Sequence, residues 1–343
     1  MKVKHEPRHT RRRILKTSLT LGTAAMTTGC GQRLNAPDDT GEQPIHEAES
    51  TGDSTDPAVG DASVPSAALP GTAPVGYGEL RGRFLFHGTV PIRRRLTVDA
   101  DHEFCDQFEI LEESLICGFP EPLKTERSDE SESDSGSDSG GVDPSVVLPG
   151  VANVFVVCRT RGLIPHPELA EPSDAPDAPL PATVLLDNRD AIFQPHALTL
   201  LAGHQKLRIV NSDPIAQNVA FAPLGDRVAN LVMPPADPEA ADPGARLPTI
   251  EWNFRRPQPV PFAVRCNYHS WELAWVWPCE TPYSAVTDRV GRFLLTRLPA
   301  GEHEFFAWHE QLGTFAFHAT IRSDAHTDPA ELLISDTWSL RFF

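Results

Sequence analysis

The stretch Val264–Glu272, with the sequence VRCNYHSWE, decides how the rest of the chain is interpreted. It places a thiol and an imidazole three residues apart, at Cys266 and His269, directly after an apolar run of strand-forming residues. A thiolate and an imidazole at this spacing can bind the same metal ion. The stretch therefore predicts a strand that runs into a candidate metal-binding loop.

A second polar turn lies upstream, in the stretch Arg208–Asn218 (RIVNSDPIAQN). Its apolar start predicts a strand, and the Asn, Asp and Pro residues that follow predict a tight turn. Together the two stretches resemble the N-S-D-P-x-x-H-N and C-N-x-H-x-W-M motifs of the exported, plastocyanin-like proteins of planctomycetes. The resemblance implies a cupredoxin-like Greek-key β-sandwich, with a copper site formed where the two turns meet.

The resemblance implies four ligand positions, and two of them do not match. Cys266 and His269 supply the expected thiolate and one imidazole, whereas Gln217 replaces a second histidine and Glu272 replaces the axial methionine. A blue copper site needs both imidazoles, so we expect no intense blue colour with copper. A carboxylate in the axial position favours the oxidised metal, and a set of Cys, His and Glu ligands is also suited to zinc.

Three interpretations of this site are compatible with the sequence. The first is a degenerate copper site that binds copper or exchanges electrons with a redox protein partner, and the second is a zinc site. The third is a metal-free β-sandwich that acts as a binding or scaffold protein of the cell envelope. His196 could replace the missing imidazole, and His309 is a further candidate ligand, although each also fits a histidine that is hydrogen-bonded within a strand.

The composition argues against two functional classes. The formal net charge of −17 would repel the phosphates of a nucleic acid, so no nucleic-acid partner is predicted. The sequence has no Gly-x-Ser-x-Gly elbow, no His-Glu-x-x-His pair and no phosphate-binding loop, and no enzymatic activity is predicted.

Residues 1–29 resemble an export signal. Thr10–Lys16 (TRRRILK) matches the twin-arginine pattern, and a short apolar run then leads to Cys30 after a glycine. The junction resembles a lipoprotein cleavage site, which implies acylation of Cys30. We therefore expect an exported protein of the periplasm or cell envelope, attached to the membrane through a lipid on Cys30. Residues 30–77 are polar and acidic and are predicted to be a disordered tether.

The remainder of the chain is predicted to be all-β. Short runs of β-branched and aromatic residues alternate with turns rich in Pro and Gly. Within it, Thr287–Leu295 (TDRVGRFLL) followed by the LPAG of residues 298–301 resembles the carboxypeptidase regulatory-like module, a small transthyretin-like β-sandwich. Asp288 and Gly291 are predicted to form the turn of a hairpin in this module.

The predicted domain organisation follows from these two resemblances. Residues 183–282 form the cupredoxin-like domain, inserted in or next to a β-sandwich built from residues 78–165 and 283–343. The early residues 78–91 and 151–158 are expected to pair with the later segment, because its hairpins alone provide too few strands to close a core. Residues 124–144 and 234–248 are predicted to be low-complexity loops.

The cysteine count leaves several pairings open. Beyond Cys30 there are five cysteines, an odd number: Cys105, Cys117, Cys158, Cys266 and Cys279. In an oxidising compartment two disulfides and one free cysteine are the natural expectation, with Cys266 free if it binds a metal. The alternatives are a Cys266–Cys279 disulfide, which would abolish the site, and five buried thiols.

The lipid anchor is tested by replacing Cys30 with alanine. Because acyl chains on Cys30 would provide the membrane affinity, Cys30→Ala should move the exported protein from the membrane fraction to the soluble fraction. Cell fractionation followed by immunoblotting measures the distribution. As a control, changing both Arg11 and Arg12 to lysine should leave the precursor in the cytoplasm. Membrane association that persists in Cys30→Ala contradicts the prediction.

Overall fold

The computed structural model describes residue 74 and residues 76–120, 147–242, 246–323, 331–335 and 337–342. The predicted signal peptide, Cys30, the first part of the predicted tether and the predicted loop 124–144 lie outside the described residues. Among the described residues, no helix has the length and apolar character needed to span a membrane.

The described residues are almost entirely strands and turns, so the all-β prediction is confirmed. The helical elements in this part of the chain are α1 (His102–Cys105) and a 3₁₀ turn at Pro167–Leu169. The strands are β1 (Tyr77–Phe86), β2 (Cys117–Gly118), β3 (Gly150–Val151), β4 (Phe155–Cys158), β5 (Thr183–Arg189), β6 (Ile192–Gln194), β7 (Ala197–Leu201), β8 (Lys206–Asn211), β9 (Gln217–Phe221), β10 (Ala229–Met233), β11 (Thr249–Trp252), β12 (Phe262–Arg265), β13 (Leu273–Cys279), β14 (Ser284–Val286), β15 (Arg292–Pro299), β16 (Gly301–His309), β17 (Gly313–Ile321), β18 (Glu331–Ser335) and β19 (Trp338–Phe342).

These strands form four sheets that pack in two pairs. The β1 sheet has the order β18-β19-β1-β3-β2, with β15 also paired to β1, and it faces the β4 sheet, β14-β4-β16-β17. We call this pair the first sandwich. The β9 sheet, β10-β9-β12-β13-β7, faces the β8 sheet, β11-β8-β5-β6. We call this pair the second sandwich.

Alternation of apolar and polar residues defines the inner faces of both sandwiches. In β16, Phe305 and Ala307 are buried in the first core, whereas Glu302 and Glu304 lie on the opposite face and are exposed. In β8, Leu207 and Ile209 enter the second core. A period of two places alternate side chains on opposite faces of a sheet, so each strand contributes one face to its core.

Strand β4 departs from this alternation because it is covered on both faces. All four of its residues are buried. Val156 points into the first core, whereas Phe155 packs outward against Trp277 of β13, with ring centroids 5.7 Å apart. A continuous apolar run is expected in a strand that is buried on both faces. The outer face of the β4 sheet therefore joins the first sandwich to the second.

Strands that precede the second sandwich in the sequence pair with strands that follow it. Strand β1 pairs antiparallel with β15, with Leu80 opposite Leu295, and β4 lies between β14 and β16. In the described part of residues 234–248 there is no strand. The domain boundaries themselves stay predictions.

The predicted hairpin around Asp288 and Gly291 is wrong. The turn forms, with the Asp288 carboxylate accepting from the Val290 and Arg292 amides, but β14 pairs with β4 whereas β15 pairs with β1. The turn therefore carries the chain from one sheet of the first sandwich to the other. Each strand finds its neighbour among strands far away in the sequence, which the local turn signal does not encode.

The expectation of two disulfides is also wrong. The five cysteines beyond Cys30 are all free, and there is no Cys266–Cys279 bond. Four are buried, whereas Cys117 is partly exposed. They are distributed over several cores, and burial raises the pKa of Cys105 and Cys279 to about 12. The alternative of buried thiols describes them best.

Gly291 offers a test of the turn between the two sheets. Its φ is +83°, and an added Cβ would lie 2.3 Å from the Phe84 carbonyl oxygen. We expect Gly291→Ala to lower the free energy of unfolding by about 3 kcal/mol, through the left-handed backbone and the overlap together. The control is Gly203→Ala, where φ is +79° but no atom lies within 4 Å. It should cost about 1 kcal/mol. Urea unfolding measures both, and equal losses would show that the close approach does not matter.

Candidate metal centre

The site lies in the loop that joins β12 to β13. These strands form an antiparallel pair in which Arg265 faces Leu273, so Cys266 and Glu272 stand at the two ends of the loop. The Cys266 amide donates to the Glu272 carbonyl and the Glu272 amide to the His269 carbonyl. This tight closure turns the three side chains toward one point.

The second polar turn positions Gln217 at the start of β9. The Asn211 side-chain amide donates to the carbonyls of Ile215 and Pro234, and its oxygen accepts from the Asp213 amide. These bonds hold the chain between β8 and β9 in a fixed turn. Gln217 then enters the core with no exposed surface, and the Asn218 amide points at the Cys266 sulfur, 3.4 Å away.

The structure brings Cys266, His269, Glu272 and Gln217 together. The Cys266 Sγ lies 3.6 Å from His269 Nδ1, and Nδ1 lies 3.2 Å from Glu272 Oε1. Gln217 Oε1 lies 2.9 Å from the same ring nitrogen and 3.4 Å from the sulfur. All four residues are buried. Their role as ligands stays a prediction.

Glu272 is held by two side-chain amides. Asn188 of β5 donates from Nδ2 to Oε2 at 2.9 Å, and Gln217 donates from Nε2 to Oε1 at 3.2 Å. A buried carboxylate needs such donors, because an uncompensated charge in a protein core is strongly unfavourable. Asn188 thus links the β8 sheet to a site that is otherwise carried by the β9 sheet.

The other side of the His269 ring faces a carboxylate from outside the second sandwich. Nε2 lies 2.9 Å from Asp101 Oδ2, while His269 itself has no exposed surface. Burial acts to lower the pKa of His269, but contacts with Cys266, Glu272 and Asp101 outweigh it and raise the pKa to about 11. Without a metal the ring is therefore an imidazolium that stabilises the two carboxylates.

Trp271 covers the ring of His269. The two ring centroids are 5.1 Å apart, and the indole nitrogen donates to the Ala191 carbonyl at 2.8 Å. The turn that carries Ala191 is fixed by Asp213, whose carboxylate accepts from the amides of Asp190 and Ala191. The Asp of the second polar turn therefore positions the tryptophan that packs on the imidazole.

The two other candidate histidines lie outside this group. His196 Nε2 lies 2.5 Å from Glu310 Oε1, and its Nδ1 lies at the ion-pair distance of 3.5 Å from Glu113. His309 Nδ1 accepts from the amides of Gln311 and Leu312, so it closes the turn after β16. Among the described residues, the group with ligand atoms close enough for one metal is Cys266, His269 and Glu272. His196 does not replace the missing imidazole.

Sequence reasoning missed Asp101 and Asn188. Asp101 lies 168 residues before His269 and Asn188 lies 84 residues before Glu272, and neither belongs to a motif that would mark it. An aspartate directly before a short helix is a common helix signal, so the sequence around Asp101 predicts no contact with a distant site.

The donor set fits a divalent transition metal. In a tetrahedral centre, a sulfur and a nitrogen ligand lie about 3.6 Å apart and a nitrogen and an oxygen ligand about 3.4 Å apart. The distances from His269 Nδ1 to Cys266 Sγ and Glu272 Oε1, 3.6 and 3.2 Å, match this spacing. The set does not fit a blue copper site, because Gln217 provides an amide oxygen where a second imidazole is needed.

Comparison with known proteins identifies no family. No protein-family model matches the chain, and no curated protein matches it in sequence. Solved structures with weak similarity to the chain include the following two. One is the copper-containing nitrite reductase NirK of Thermus scotoductus, with 17% identity and a TM-score of 0.24 over 34% of this chain and 27% of that one. The other is a mutant of amicyanin in its Cu(I) form, with 12% identity and a TM-score of 0.22 over 36% of this chain and 97% of that one.

These two neighbours are cupredoxins, the fold type that the two polar turns resemble. The chain spans about a quarter of the nitrite reductase chain.

The His196 ion pair predicts a specific pH dependence. Burial lowers the pKa of His196, but the carboxylates of Glu113 and Glu310 outweigh burial and raise it from 6.5 to about 9. A raised histidine pKa stabilises the folded state below the unfolded value, and this contribution is lost as the pH rises through the folded value. The contribution of His196 to the free energy of unfolding should therefore fall by about 3 kcal/mol between pH 6.5 and 9.

The measurement is urea unfolding across this pH range, with His196→Gln as the comparison. Glutamine cannot titrate, so the fall should be about 3 kcal/mol smaller in the variant, while the part that comes from His269 remains in both proteins. Parallel stability profiles of the original protein and the variant would contradict the prediction.

Proposed function

We propose that this protein binds a divalent transition-metal ion, copper(II) or zinc(II), through Cys266, His269 and Glu272, with Gln217 as a further oxygen donor. The observation that carries the proposal is the convergence of a sulfur, a nitrogen and a carboxylate oxygen on one buried point at ligand spacing. Thiolate, imidazole and carboxylate are the ligand types that zinc uses, and copper accepts the first two.

The charges of the ligands favour a divalent ion. A thiolate at Cys266 and a carboxylate at Glu272 carry two negative charges, which a divalent ion neutralises. Copper(I) would leave one negative charge in a buried site, and it prefers softer ligands than a carboxylate. We therefore propose that the site holds the oxidised metal and supports metal binding better than electron exchange.

The residues of the chain already have the arrangement that the metal needs. Glu272 is fixed by Asn188 and Gln217, and His269 by Asp101 and Trp271, so little side-chain reordering accompanies binding. When bound, the ion supplies a fixed positive charge that replaces the imidazolium as the counter-ion of Glu272. The proposed export signal Thr10–Lys16 and the proposed lipid on Cys30 would place the protein at the cell envelope. Release or delivery of the bound ion there is compatible with this location.

The test is metal content and metal affinity of the purified protein. We expect about one equivalent of copper(II) or zinc(II) per chain, without intense blue colour in the copper form. Because the thiolate is a direct ligand, Cys266→Ala should weaken binding at least about 100-fold. Isothermal titration and competition with a chromophoric chelator measure the affinity.

The control variant is Cys279→Ala, which removes another buried thiol that lies in the junction between the sandwiches. It should bind metal like the original protein. The interpretation as a metal-free scaffold protein predicts the opposite result: neither the original protein nor the variants should contain stoichiometric metal. That interpretation has one observation in its favour, since the four side chains also satisfy one another by hydrogen bonds.

A further inference from the structure

We infer that Asp101 is a positioning residue of the proposed metal centre, because its carboxylate holds the His269 ring with Nδ1 directed at Cys266 and Glu272. The inference rests on the proposed function, since it concerns how the same site presents its nitrogen ligand. It adds to the centre a residue from the segment before the second sandwich.

The two nitrogens of the His269 ring have different partners. Nε2 lies 2.9 Å from Asp101 Oδ2, whereas Nδ1 lies 3.6 Å from Cys266 Sγ and 3.2 Å from Glu272 Oε1. A carboxylate only accepts hydrogen bonds, so Nε2 carries a proton. In the metal-free protein Nδ1 also carries a proton, facing Gln217 Oε1 and Glu272 Oε1; metal binding releases this proton to solvent and leaves a neutral ring with its proton on Nε2 and its lone pair on Nδ1. That nitrogen is the one directed at the other ligands.

The ring cannot easily turn to present the other nitrogen. His269 is fully buried, and Trp271 packs on it with ring centroids 5.1 Å apart. A flip of the imidazole would put the Cδ2–H group in the place of Nδ1, beside Cys266 and Glu272, and leave the Asp101 carboxylate without its donor. The identity of the metal-binding nitrogen therefore depends on the hydrogen bond to Asp101.

Asp101 is held in place by contacts that do not involve His269. Its backbone is left-handed, with φ 46° and ψ 43°, and its carbonyl accepts from the amides of Phe104 and Cys105 at the start of α1. The neighbouring Asp99 accepts a 2.7 Å hydrogen bond from Ser270. Cys105 and the segment around it pack with Trp271 in a small apolar cluster. The carboxylate is thus positioned before any metal arrives.

Hydrogen-bond partners of ligating histidines typically change metal affinity by about 10–100-fold when they are removed. For Asp101 we expect an effect in this range. A nearby charge alone would act more weakly, because the Asp101 side chain is 48% exposed and solvent screens it.

The experiment compares zinc(II) affinity in the full chain, in Asp101→Asn and in the matched control Asp99→Asn. Asparagine keeps the size of the side chain and tolerates a left-handed backbone, but its amide accepts more weakly and can also donate to Nε2. Asp101→Asn should bind zinc about 10–100-fold more weakly than the original protein. Asp99→Asn loses the same charge from the same segment but keeps an oxygen that can accept from Ser270, so it should change the affinity by less than about threefold.

A second readout identifies the ring nitrogens directly. Two-bond ¹H–¹⁵N spectra of the zinc-loaded original protein should show a proton on His269 Nε2 and zinc on Nδ1. Before zinc is added, the Nε2–H signal should be sharp in the original protein and in Asp99→Asn, and broadened by solvent exchange in Asp101→Asn.

The outcomes separate the two proposals. Equal zinc affinity of Asp101→Asn and the original protein, or zinc on Nε2, would overturn the role of Asp101 and leave the proposed function intact. Failure of the original protein to bind zinc or copper would overturn the proposed function and the inference with it. If Asp101→Asn does not fold, the spectra of the original protein still decide which nitrogen carries the metal.

Discussion

The Glu272 carboxylate is buried without any exposed side-chain surface, and the arrangement of the site depends on compensating its charge. Removing a carboxylate from water costs several kcal/mol unless hydrogen bonds and an opposite charge replace the lost hydration. The chain supplies Asn188 from one sheet, Gln217 from the facing sheet and His269 from the loop that joins β12 to β13. Three segments are thereby held in register by one buried anion. A cation at the same point would satisfy the same requirement.

The site also depends on parts of the chain outside the second sandwich. Asp101 contacts the far side of the His269 ring, and Trp271 is held against that ring through the turn that Asp213 organises. Burial raises the pKa of Asp213 to about 6, against the effect of its two backbone donors. Asp213 is therefore partly protonated in mild acid. The geometry of His269 is thus shared between two turns and a segment that reaches over from the first sandwich.

Sequence alone was sufficient for the class of fold and for the two turns that meet at the site. Alternation in strands such as β8 and β16, and the turn residues around Asn211 and Asp288, are local signals, and local signals survive without an alignment. The sheet assignment of β14 and β15 was not predictable in this way. A turn of Asp and Gly determines that the chain reverses, whereas the choice of partner strand depends on which distant strand has a free edge.

The same limit applies to the side chains around the site. Cys266 and His269 belong to a short pattern, so the sequence marked them. Asp101 and Asn188 are single polar residues that acquire their role only when tertiary packing brings them to His269 and Glu272. The free cysteines show the converse error, because their number indicated disulfides, whereas all five are free and the four buried ones lie in four separate apolar clusters.

The sheet partners of β1 have a consequence for the order in which the protein can fold during synthesis. Leu80 pairs with Leu295, and the next strand on the other side of β1 is formed by the residues that end at Phe342. The ribosome makes β1 well before β15 and β19, the strands that pair along its two edges. Strands β5 to β13 emerge between them and can pair with one another as soon as they are complete. The first sandwich therefore begins before the second and is completed after it. The apolar faces of its early strands stay uncovered until β15 and β19 have been made.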